Sequence, residues 1–161
     1  METGTLDASV IRTGTIPGDV EACAEIWVSA LLARDGAVDA DAMAERVRSS
    51  FELLIVRFAV VDPPHRAFAL VEAGRPDPTE ALLHYLAVDP ATPKRGLGRA
   101  LLADAIEHTR LGGFESMMLE VRTNNTRAIE LYTRTGFVPF GEPTPHSLAG
   151  YPMQAYRLLL R

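Results

Sequence analysis

The sequence predicts a single α/β domain, and three observations lead to this prediction. The length of 161 residues fits one domain, since a typical domain has roughly 150 residues. Segments with apolar residues at helical spacing alternate with short runs of β-branched and aromatic residues. Residues 81–122 have the pattern strand, helix, strand, which is typical of a parallel, right-handed crossover unit. The composition, with 47% hydrophobic and 23% charged residues, is that of a folded globular protein.

The first half of the chain is predicted to form three strands and two helices. In order, these are a strand at 9–13, a helix from Val20, a helix capped by Asp39 or Asp41, and strands at 56–61 and 66–73. The first helix has one apolar face and ends at Gly36. The apolar stripe of the second helix continues to Leu54. Pro63-Pro64 separates the second strand from the third.

The second half is predicted to form four strands and two helices. In order, these are a strand at 81–88, a helix at 98–110, a strand at 116–122, a helix at 125–134, and strands at 137–140 and 154–160. The strand at 81–88 is almost wholly apolar, which is typical of a central strand, and His84 interrupts it. Because side chains alternate along a strand, we expect Tyr85 on the face opposite to His84. Gly112-Gly113 and Gly136 end the two helices.

Charge and residue content limit the classes of partner and site. The 16 Lys and Arg against 21 Asp and Glu give a net charge of −5, so a nucleic-acid partner is not expected. The single cysteine, Cys23, excludes an intramolecular disulfide and a cysteine-based zinc site, which fits a reducing cytoplasm. His65, His108 and His146 lack metal-ligand spacing, so we expect no metal. No apolar run approaches the roughly 20 residues of a membrane span, and Met1–Gly4 do not resemble a secretory signal, so we expect no membrane association.

A turn rich in glycine and cations follows the strand at 81–88. Gly96 and Gly98 let the backbone approach a ligand closely, and the N-terminus of the next helix carries a partial positive charge. Three cations lie in or beside this turn: Lys94, Arg95 and Arg99. Together these features favour the binding of a pyrophosphate.

Two common phosphate loops are excluded here, and two other interpretations stay open. A dinucleotide fingerprint would have Gly in place of Leu101, and a Walker loop would have Lys and then Ser or Thr after its last glycine. The Gly-x-Gly pattern alone is also typical of a glycine turn with solvated basic residues. A nucleotide-phosphate binder is the other interpretation, and it depends on this pattern alone.

Two motifs, in the same order along the chain, resemble those of the GNAT N-acetyltransferases. Leu86-Ala87-Val88, Gly96-Leu97-Gly98 and Ala100-Leu101-Leu102 are similar to the acetyl-CoA-binding segment of that family, whose consensus is Gln/Arg-x-x-Gly-x-Gly/Ala. The segment Asn125-x-x-Ala128-Ile129-x-Leu131-Tyr132-x-x-x-Gly136-Phe137 is similar to a second signature of the family. Two motifs in the expected order are far more specific than either alone, and they cover about 82–140 of this chain.

The resemblance implies a single GNAT domain over residues 1–161, with a mixed, mainly antiparallel sheet of six or seven strands flanked by about four helices. It implies acetyl-CoA as the co-substrate. The residues expected to contact acetyl-CoA are Leu86, Ala87, Val88, Lys94, Arg95, Gly96, Leu97, Gly98, Arg99, Ala100, Asn125 and Tyr132. One position departs from the consensus: Pro93 stands where the family has Gln or Arg, and proline has no N–H to donate.

The resemblance further implies acetyl transfer to a primary amine by direct attack. Tyr132 occupies the family's Tyr position, so its hydroxyl is expected to protonate the departing CoA thiolate, although a Tyr on a helix face is also typical of core packing. Asn125 is expected to cap its helix, to contact the cofactor, or to do both. No covalent acyl-enzyme is expected, since Cys23 falls on a core-facing helix stripe.

The general base is predicted to be His84. Leu82 stands where many family members carry a Glu, and the segment around His84 is similar to a strand of the arylalkylamine N-acetyltransferases, in which a histidine helps to remove the amine proton. A histidine with an ordinary pKa near 6.5 suits this role, directly or through water. A hydrogen-bonded core histidine is the alternative for His84, and Glu120 and Glu72 are alternative bases.

The expected acceptor is a small-molecule amine or a peptide amine. The loop at 142–150, with Tyr151 beside it, falls where the family forms part of the acceptor wall, and a dimer edge or a surface loop are its alternatives. The protein is also predicted to be able to form a homodimer. The net negative charge of the chain slightly favours a cationic amine as the acceptor. A non-catalytic acyl-CoA sensor of the same fold is the rival interpretation, because of Pro93 and Leu82.

Overall fold

The computed structural model describes residues 10–74, 77–146 and 150–160. These residues form, in chain order, β1 (Ile11–Thr13), α1 (Val20–Asp35), α2 (Ala40–Ser50), β2 (Ile55–Val61), β3 (Ala67–Ala73), β4 (Glu80–Val88), α3 (Leu97–Leu111), β5 (Ser116–Arg122), α4 (Thr126–Thr135), β6 (Val138–Pro145) and β7 (Pro152–Leu159). Every predicted helix and strand is therefore present, and most ends differ from the prediction by only one or two residues. Ser9, which is predicted to begin the first strand, lies outside the described residues.

In the described residues, seven strands form one sheet in the order β1-β2-β3-β4-β5-β7-β6. All neighbouring strands are antiparallel except β4 and β5, which are parallel and are connected through α3. The predicted mixed, mainly antiparallel sheet with about four helices is confirmed. The parallel strand-helix-strand unit is confirmed with it.

Helices cover both faces of this sheet and bury two apolar cores. On one face α3 packs on β2, β3 and β4, and it buries Leu101, Leu102 and Ala105. On the other face α1 packs on α2 and on β3 and β4, and it buries Cys23 and Ile26. Removal of this apolar surface from water is the main force that holds the helices against the sheet.

The parallel pair β4–β5 is short, and this opens the sheet at its centre. Paired residues cover only the first three positions of each strand, from Glu80 opposite Ser116 to Leu82 opposite Met118. The buried Glu80 carboxylate fixes the closed end, since it accepts hydrogen bonds from Ser116 Oγ at 2.9 Å and from Arg157 Nε at 2.7 Å. Beyond Leu82 the second half of β4 is left with open backbone groups toward β5.

A β-bulge at His84 changes which side chains of β4 face each core. The register with β3 shifts between Leu83 and Tyr85, so His84 is an extra residue in the strand. Leu83 lies in the core under α3, whereas Tyr85 lies in the core under α1. The expectation that Tyr85 faces away from His84 is therefore wrong: their rings stack 4.4 Å apart at an interplanar angle of 6°.

Two other expectations about element ends are wrong. The strand predicted at 137–140 continues to Pro145, because β6 is an edge strand and its prolines need not donate an N–H to a second neighbour. All eight residues of β6 are exposed. The stripe of α2 does not reach Leu54, since the helix ends at Ser50 and Leu54 is 75% exposed.

Candidate active site

The turn before α3 has the backbone geometry of an anion site. Gly96, the N-cap residue of α3, has a φ of +84°, a left-handed conformation that glycine adopts without strain. Across the described part of the chain, the N–H groups of Gly98 and Arg99 have no backbone acceptor, as is usual in a first helical turn. A Cβ at Gly98 would meet only Leu131 Cδ2, at 4.0 Å, so the bare glycine leaves open space. This cradle fits a pyrophosphate.

The three cations that are predicted to bind phosphate lie around this turn and are exposed: Lys94, Arg95 and Arg99. Lys94 borders a cavity of about 380 Å³ beside the β2–β3 connection. Arg99 borders a separate groove of about 360 Å³ between α3 and α4, together with Arg127 and Arg134. Positive charge therefore flanks the N-terminus of α3 on two sides, although the whole chain is acidic.

The open end of the β4–β5 pair forms a small cleft of about 130 Å³. This cleft brings together predicted site residues from three parts of the chain: His84 and Leu86 on β4, Glu120 on β5, and Asn125 and Tyr132 at α4. Among residues predicted to contact the cofactor, Leu86 lines the cleft, while the side chain of Ala87 is buried in the core under α1. Ala87 can therefore meet a ligand only through its backbone.

Tyr132 lies on α4 with its ring in the core and on the wall of the cleft. It is 8% exposed, and its ring packs edge-on against Phe137 with centroids 5.8 Å apart. Burial raises the pKa of Tyr132 to about 12. The hydroxyl is therefore protonated at neutral pH and can donate a hydrogen bond or a proton.

Asn125 caps α4 and also lines the cleft. Its Oδ1 atom accepts a hydrogen bond from the N–H of Ala128 at 3.3 Å, so the predicted helix cap is confirmed. The same residue borders the cleft, so the N-terminus of α4 lies at the candidate site.

His84 is half-buried at the bulge, between Tyr85 and Glu72. Its Nδ1 atom lies 3.3 Å from Glu72 Oε1, but the two groups are not aligned for a hydrogen bond. Burial, and then the positive charge of Arg46, lower the pKa of His84 to about 4. The proximity of Glu72 acts in the opposite direction, but burial of the imidazole is the larger effect on its pKa. His84 is neutral at neutral pH.

A larger cavity of about 360 Å³, called here the inner cavity, adjoins the cleft and shares His84 and Glu120 with it. Its walls include apolar side chains from α1, α2, β4 and β7: Trp27, Leu31, Met43, Leu82, Leu83 and Met153. Its polar lining residues are Arg46, His84, Tyr85, Glu120, His146 and Tyr151. The expectation that the segment at 142–150 stands beside this site agrees with the position of His146, while 147–149 lie outside the described residues.

Sequence reasoning missed three side chains of the inner cavity. Trp27 lies on α1, and it packs edge-on against Tyr85 with centroids 4.9 Å apart. Tyr85 faces the cavity because of the bulge at His84. One feature of the sequence indicates that Arg46 faces inward. It stands three residues after the buried Met43, so the two residues share a helix face.

Arg122 at the end of β5 joins three elements at the mouth of the site. Its guanidinium donates to both carboxylate oxygens of Asp35 at the end of α1, at 2.6 and 2.9 Å. The same group lies 3.5 Å from the ring centroid of Tyr151, just before β7. These three residues border an outer cavity of about 490 Å³ that also shares Leu31 and Met43 with the inner cavity.

Within residues 10–74, 77–146 and 150–160, no three His, Cys, Asp or Glu side chains come close enough to hold a metal ion. None of the helices in those ranges is long and apolar enough to cross a membrane.

Comparison with known proteins identifies relatives in sequence and in structure. The ML0378 protein of Mycobacterium leprae (strain TN), itself uncharacterized, is 33% identical over 138 residues, which are 85% of this chain and 37% of that protein. The ribosomal protein bS18-alanine N-acetyltransferase of Escherichia coli (strain K12) is 47% identical over 58 residues, which are 36% of this chain and 39% of that enzyme. The chain thus spans about two fifths of the length of these curated relatives.

A solved structure has the same fold. The protein yncA of Salmonella typhimurium, a proposed acetyltransferase solved with its cofactor acetyl-CoA, superposes with a TM-score of 0.71 at 23% identity. The match covers 94% of this chain and 93% of that one. The model of the acetyltransferase (GNAT) family matches residues 22–137, a range that includes both motifs and more than two thirds of the chain. The chain therefore belongs to the acetyltransferase (GNAT) family.

Proposed function

We propose that this protein transfers the acetyl group of acetyl-CoA to a primary amine by direct attack. The observation that carries the proposal is the cleft between β4 and β5, where Tyr132, His84 and Asn125 meet, in a chain that also has the glycine cradle before α3. Two relatives support it by their descriptions, one as an alanine N-acetyltransferase and one with bound acetyl-CoA.

The residues of the turn and of β4 fit acetyl-CoA, which supplies the thioester. The N–H groups of Gly98 and Arg99 would hold the pyrophosphate, with Lys94 and Arg95 adding positive charge. The open backbone of Leu86–Val88 would hydrogen-bond the pantetheine arm and direct the thioester into the cleft. Pro93 removes one N–H from this turn, and the cations beside it offset the lost hydrogen bond.

Acetyl transfer forms one bond and breaks another. The amine nitrogen attacks the thioester carbon, the new C–N bond forms, and the C–S bond breaks. A backbone N–H near Val88 polarises the carbonyl, and Tyr132 donates its hydroxyl proton to the departing thiolate. The raised pKa of Tyr132, about 12, keeps the hydroxyl protonated at neutral pH, so the proton is available to the sulfur as the C–S bond breaks.

The amine proton leaves toward His84 in this proposal, directly or through water. His84 is neutral and borders both the cleft and the inner cavity, so it can accept a proton between the two. Its low pKa makes it a weak base, and Glu120, which borders the same two cavities, is the alternative. Glu72 is 6% exposed and borders neither cavity, so it acts at most through His84.

The acceptor is a small-molecule or peptide amine in this proposal, and the protein works in the cytoplasm. The buried, lone Cys23 is compatible with a reducing compartment.

A homodimer is part of the proposal as well, supported by the exposed edge strand β6, where Val138 is 59% and Phe140 43% exposed. Sedimentation analysis of wild type and Phe140→Ser measures the oligomeric state directly. A wild-type protein that is a monomer at all concentrations excludes the dimer.

The experiment that tests the function follows acetyl-CoA-dependent thiol release with a panel of amines, amino acids, polyamines and peptides. The proposal expects turnover with at least one acceptor and its loss in Tyr132→Phe. A non-catalytic acyl-CoA sensor is the alternative, favoured by Pro93 in the turn and by Leu82 on the cavity wall where a carboxylate would be expected. Tight acetyl-CoA binding with no turnover on the whole panel favours the sensor. Selective thermal stabilisation by ATP would instead favour a nucleotide-phosphate binder.

A further inference from the structure

The inner cavity contains one cation and one anion, which come from different elements. Among the described residues that line it, only Arg46 on α2 and Glu120 on β5 are charged at neutral pH. Its two histidines are neutral: burial and then Arg46 lower the pKa of His84 to about 4, and burial, Arg46 and Arg122 lower the pKa of His146. Glu120 also borders the cleft, whereas Arg46 does not, so a ligand that fills this cavity meets negative charge where the cavity joins the cleft and positive charge away from it.

We propose that the acceptor is an amine that also carries a carboxylate, and that Arg46 binds this carboxylate in the inner cavity. This inference rests on the proposed acetyl transfer and names the class of acceptor. Glu120 lies at the junction of the inner cavity and the cleft, so the ammonium end of such a molecule points toward the reaction centre. The two charged ends of the acceptor then match the two charged walls.

Arg46 is placed well for this contact. It is half-buried, and it lines the cavity together with Trp27 and Tyr85. Its positive charge reaches neighbouring groups: burial raises the pKa of Tyr85, and Arg46 lowers it. Arg46 has a partner within the fold. A guanidinium has five N–H donors in a planar fork, so it can keep one contact and still pair with both oxygens of a carboxylate.

The size and charge of the cavity limit the alternatives. A volume of about 360 Å³ accommodates an amino acid, with the outer cavity next to it for a longer chain. A polyamine would bring a second ammonium toward Arg46, and like charges at short distance repel strongly in a poorly hydrated site. The bulk net charge of −5 favours cationic amines in solution, but the part of this cavity that does not border the cleft carries the positive charge of Arg46.

The test compares acceptors that differ only in the carboxylate. Initial rates of thiol release are measured for a panel of amino acids, each beside its amide and its decarboxylated amine. The proposal expects kcat/KM to be about 10- to 100-fold higher for the acid, as for loss of a charge-assisted hydrogen-bonded pair. Two dipeptide amides, Ala-Asp and Ala-Asn, show whether the carboxylate comes from a free amino acid or from an acidic side chain of a peptide.

Two variants and one control identify Arg46 as the partner. Arg46→Gln is expected to lower kcat/KM for the acids at least about tenfold more than for the amines that lack a carboxylate, and Arg46→Lys is expected to restore part of the preference for the acids. Arg48→Gln is the control, since Arg48 lies on the same helix but is exposed and paired with Glu21 at 2.7 Å. The affinity for acetyl-CoA is expected to stay the same in all three.

The outcomes separate this inference from the proposed function. Turnover of amides and decarboxylated amines at the same rate as the acids overturns the inference and leaves acetyl transfer standing. Equal losses for the acids and for the amines that lack a carboxylate in Arg46→Gln show a structural role and overturn the inference as well. Acetyl-CoA binding without turnover of any acceptor overturns the proposed function, and the inference with it.

Discussion

The Nδ1 atom of His84 lies 3.3 Å from Oε1 of the buried Glu72, across the β3–β4 pair. A carboxylate at this distance favours a charged imidazole, but burial and the charge of Arg46 favour a neutral one and lower the pKa of His84 to about 4. The protein thus holds a neutral histidine beside a carboxylate at the wall of its cleft. This arrangement has consequences for stability as well as for catalysis.

The stability of the fold is expected to fall as the pH drops from 7 to 5. An unfolded chain has a histidine pKa of about 6.5, so it binds a proton before the folded His84, whose pKa is about 4. His84 alone then lowers the free energy of unfolding by about 2 kcal/mol over this range. Urea unfolding at both pH values is expected to show a smaller drop for His84→Gln than for wild type. The exposed His108→Gln is the control, and an identical drop in His84→Gln would refute the burial of a neutral imidazole.

Tyr132→Phe is expected to lower kcat by about 100- to 1000-fold, because it removes the proton donor for the thiolate. The ring stays in place against Phe137, so the melting temperature and the affinity for acetyl-CoA are expected to change little. Tyr156→Phe, at another buried tyrosine, serves as the control for loss of a hydroxyl. Full activity of Tyr132→Phe, under conditions where acetyl transfer limits the rate, excludes Tyr132 as the acid.

Gly98→Ala is expected to stabilise the fold and to keep cofactor binding. Alanine is a better helix former by about 0.5–1 kcal/mol, and the added Cβ clashes with nothing in the protein. The family consensus has Gly or Ala at this position, so the dissociation constant for acetyl-CoA is expected to stay within about threefold of the wild-type value. Calorimetry measures both the stability and the affinity. Gly36→Ala is the reverse control: with a φ of +77°, it is expected to lose stability and to bind acetyl-CoA normally. Loss of acetyl-CoA binding in Gly98→Ala would contradict the assignment of this turn to the phosphate motif of the family.

Arg122→Gln is expected to raise KM for the acceptor about 3- to 10-fold while acetyl-CoA binding stays the same. The variant loses the bidentate pair with Asp35 and the contact with the Tyr151 ring, so the mouth of the inner cavity is no longer held together. Steady-state kinetics with each substrate varied in turn separates the two constants. Arg110→Gln changes an exposed arginine paired with Glu107, and it serves as the control. An equal rise in both KM values would point to general loss of structure.

Cys23 is expected to play no chemical part. It is 1% exposed, and burial raises its pKa to about 12, so it is not a thiolate at neutral pH. Iodoacetamide is therefore expected to leave activity intact in the folded protein, and Cys23→Ala is expected to retain turnover. Mass spectrometry after acetyl-CoA alone measures any covalent adduct. An acetylated Cys23 that is consumed on addition of amine would contradict direct attack.

The parts of this site that sequence predicts well are local in the chain. Gly96 and Gly98 produce the turn and the helix start through their own backbone conformations, and Asn125 caps α4 through a residue three positions away. Such features depend on neighbours in sequence, so their spacing is visible in the residues. The seven strands and four helices of the described ranges follow from periodicity in the same way.

The acceptor side depends on contacts between distant segments. Trp27, Arg46, His84 and Glu120 come from four elements and meet only because the sheet opens after Leu82. A strict alternation of side chains along β4 places Tyr85 on the wrong face. His84 is an extra residue in the pairing with β3, and this bulge reverses the alternation after it. The prolines in β6 favour an early end of this strand in a sequence-based prediction. The strand tolerates them because it lies at the edge of the sheet.

The most direct test is the fate of an isotopically labelled acetyl group. Wild type and Tyr132→Phe are incubated with labelled acetyl-CoA and the acceptor panel, and both free thiol and labelled acceptor are quantified by mass spectrometry. Acetyl transfer by direct attack predicts one labelled N-acetyl product for each thiol released, no label on the protein, and loss of both products in the variant. Tight binding of acetyl-CoA with neither thiol nor labelled acceptor formed would contradict it.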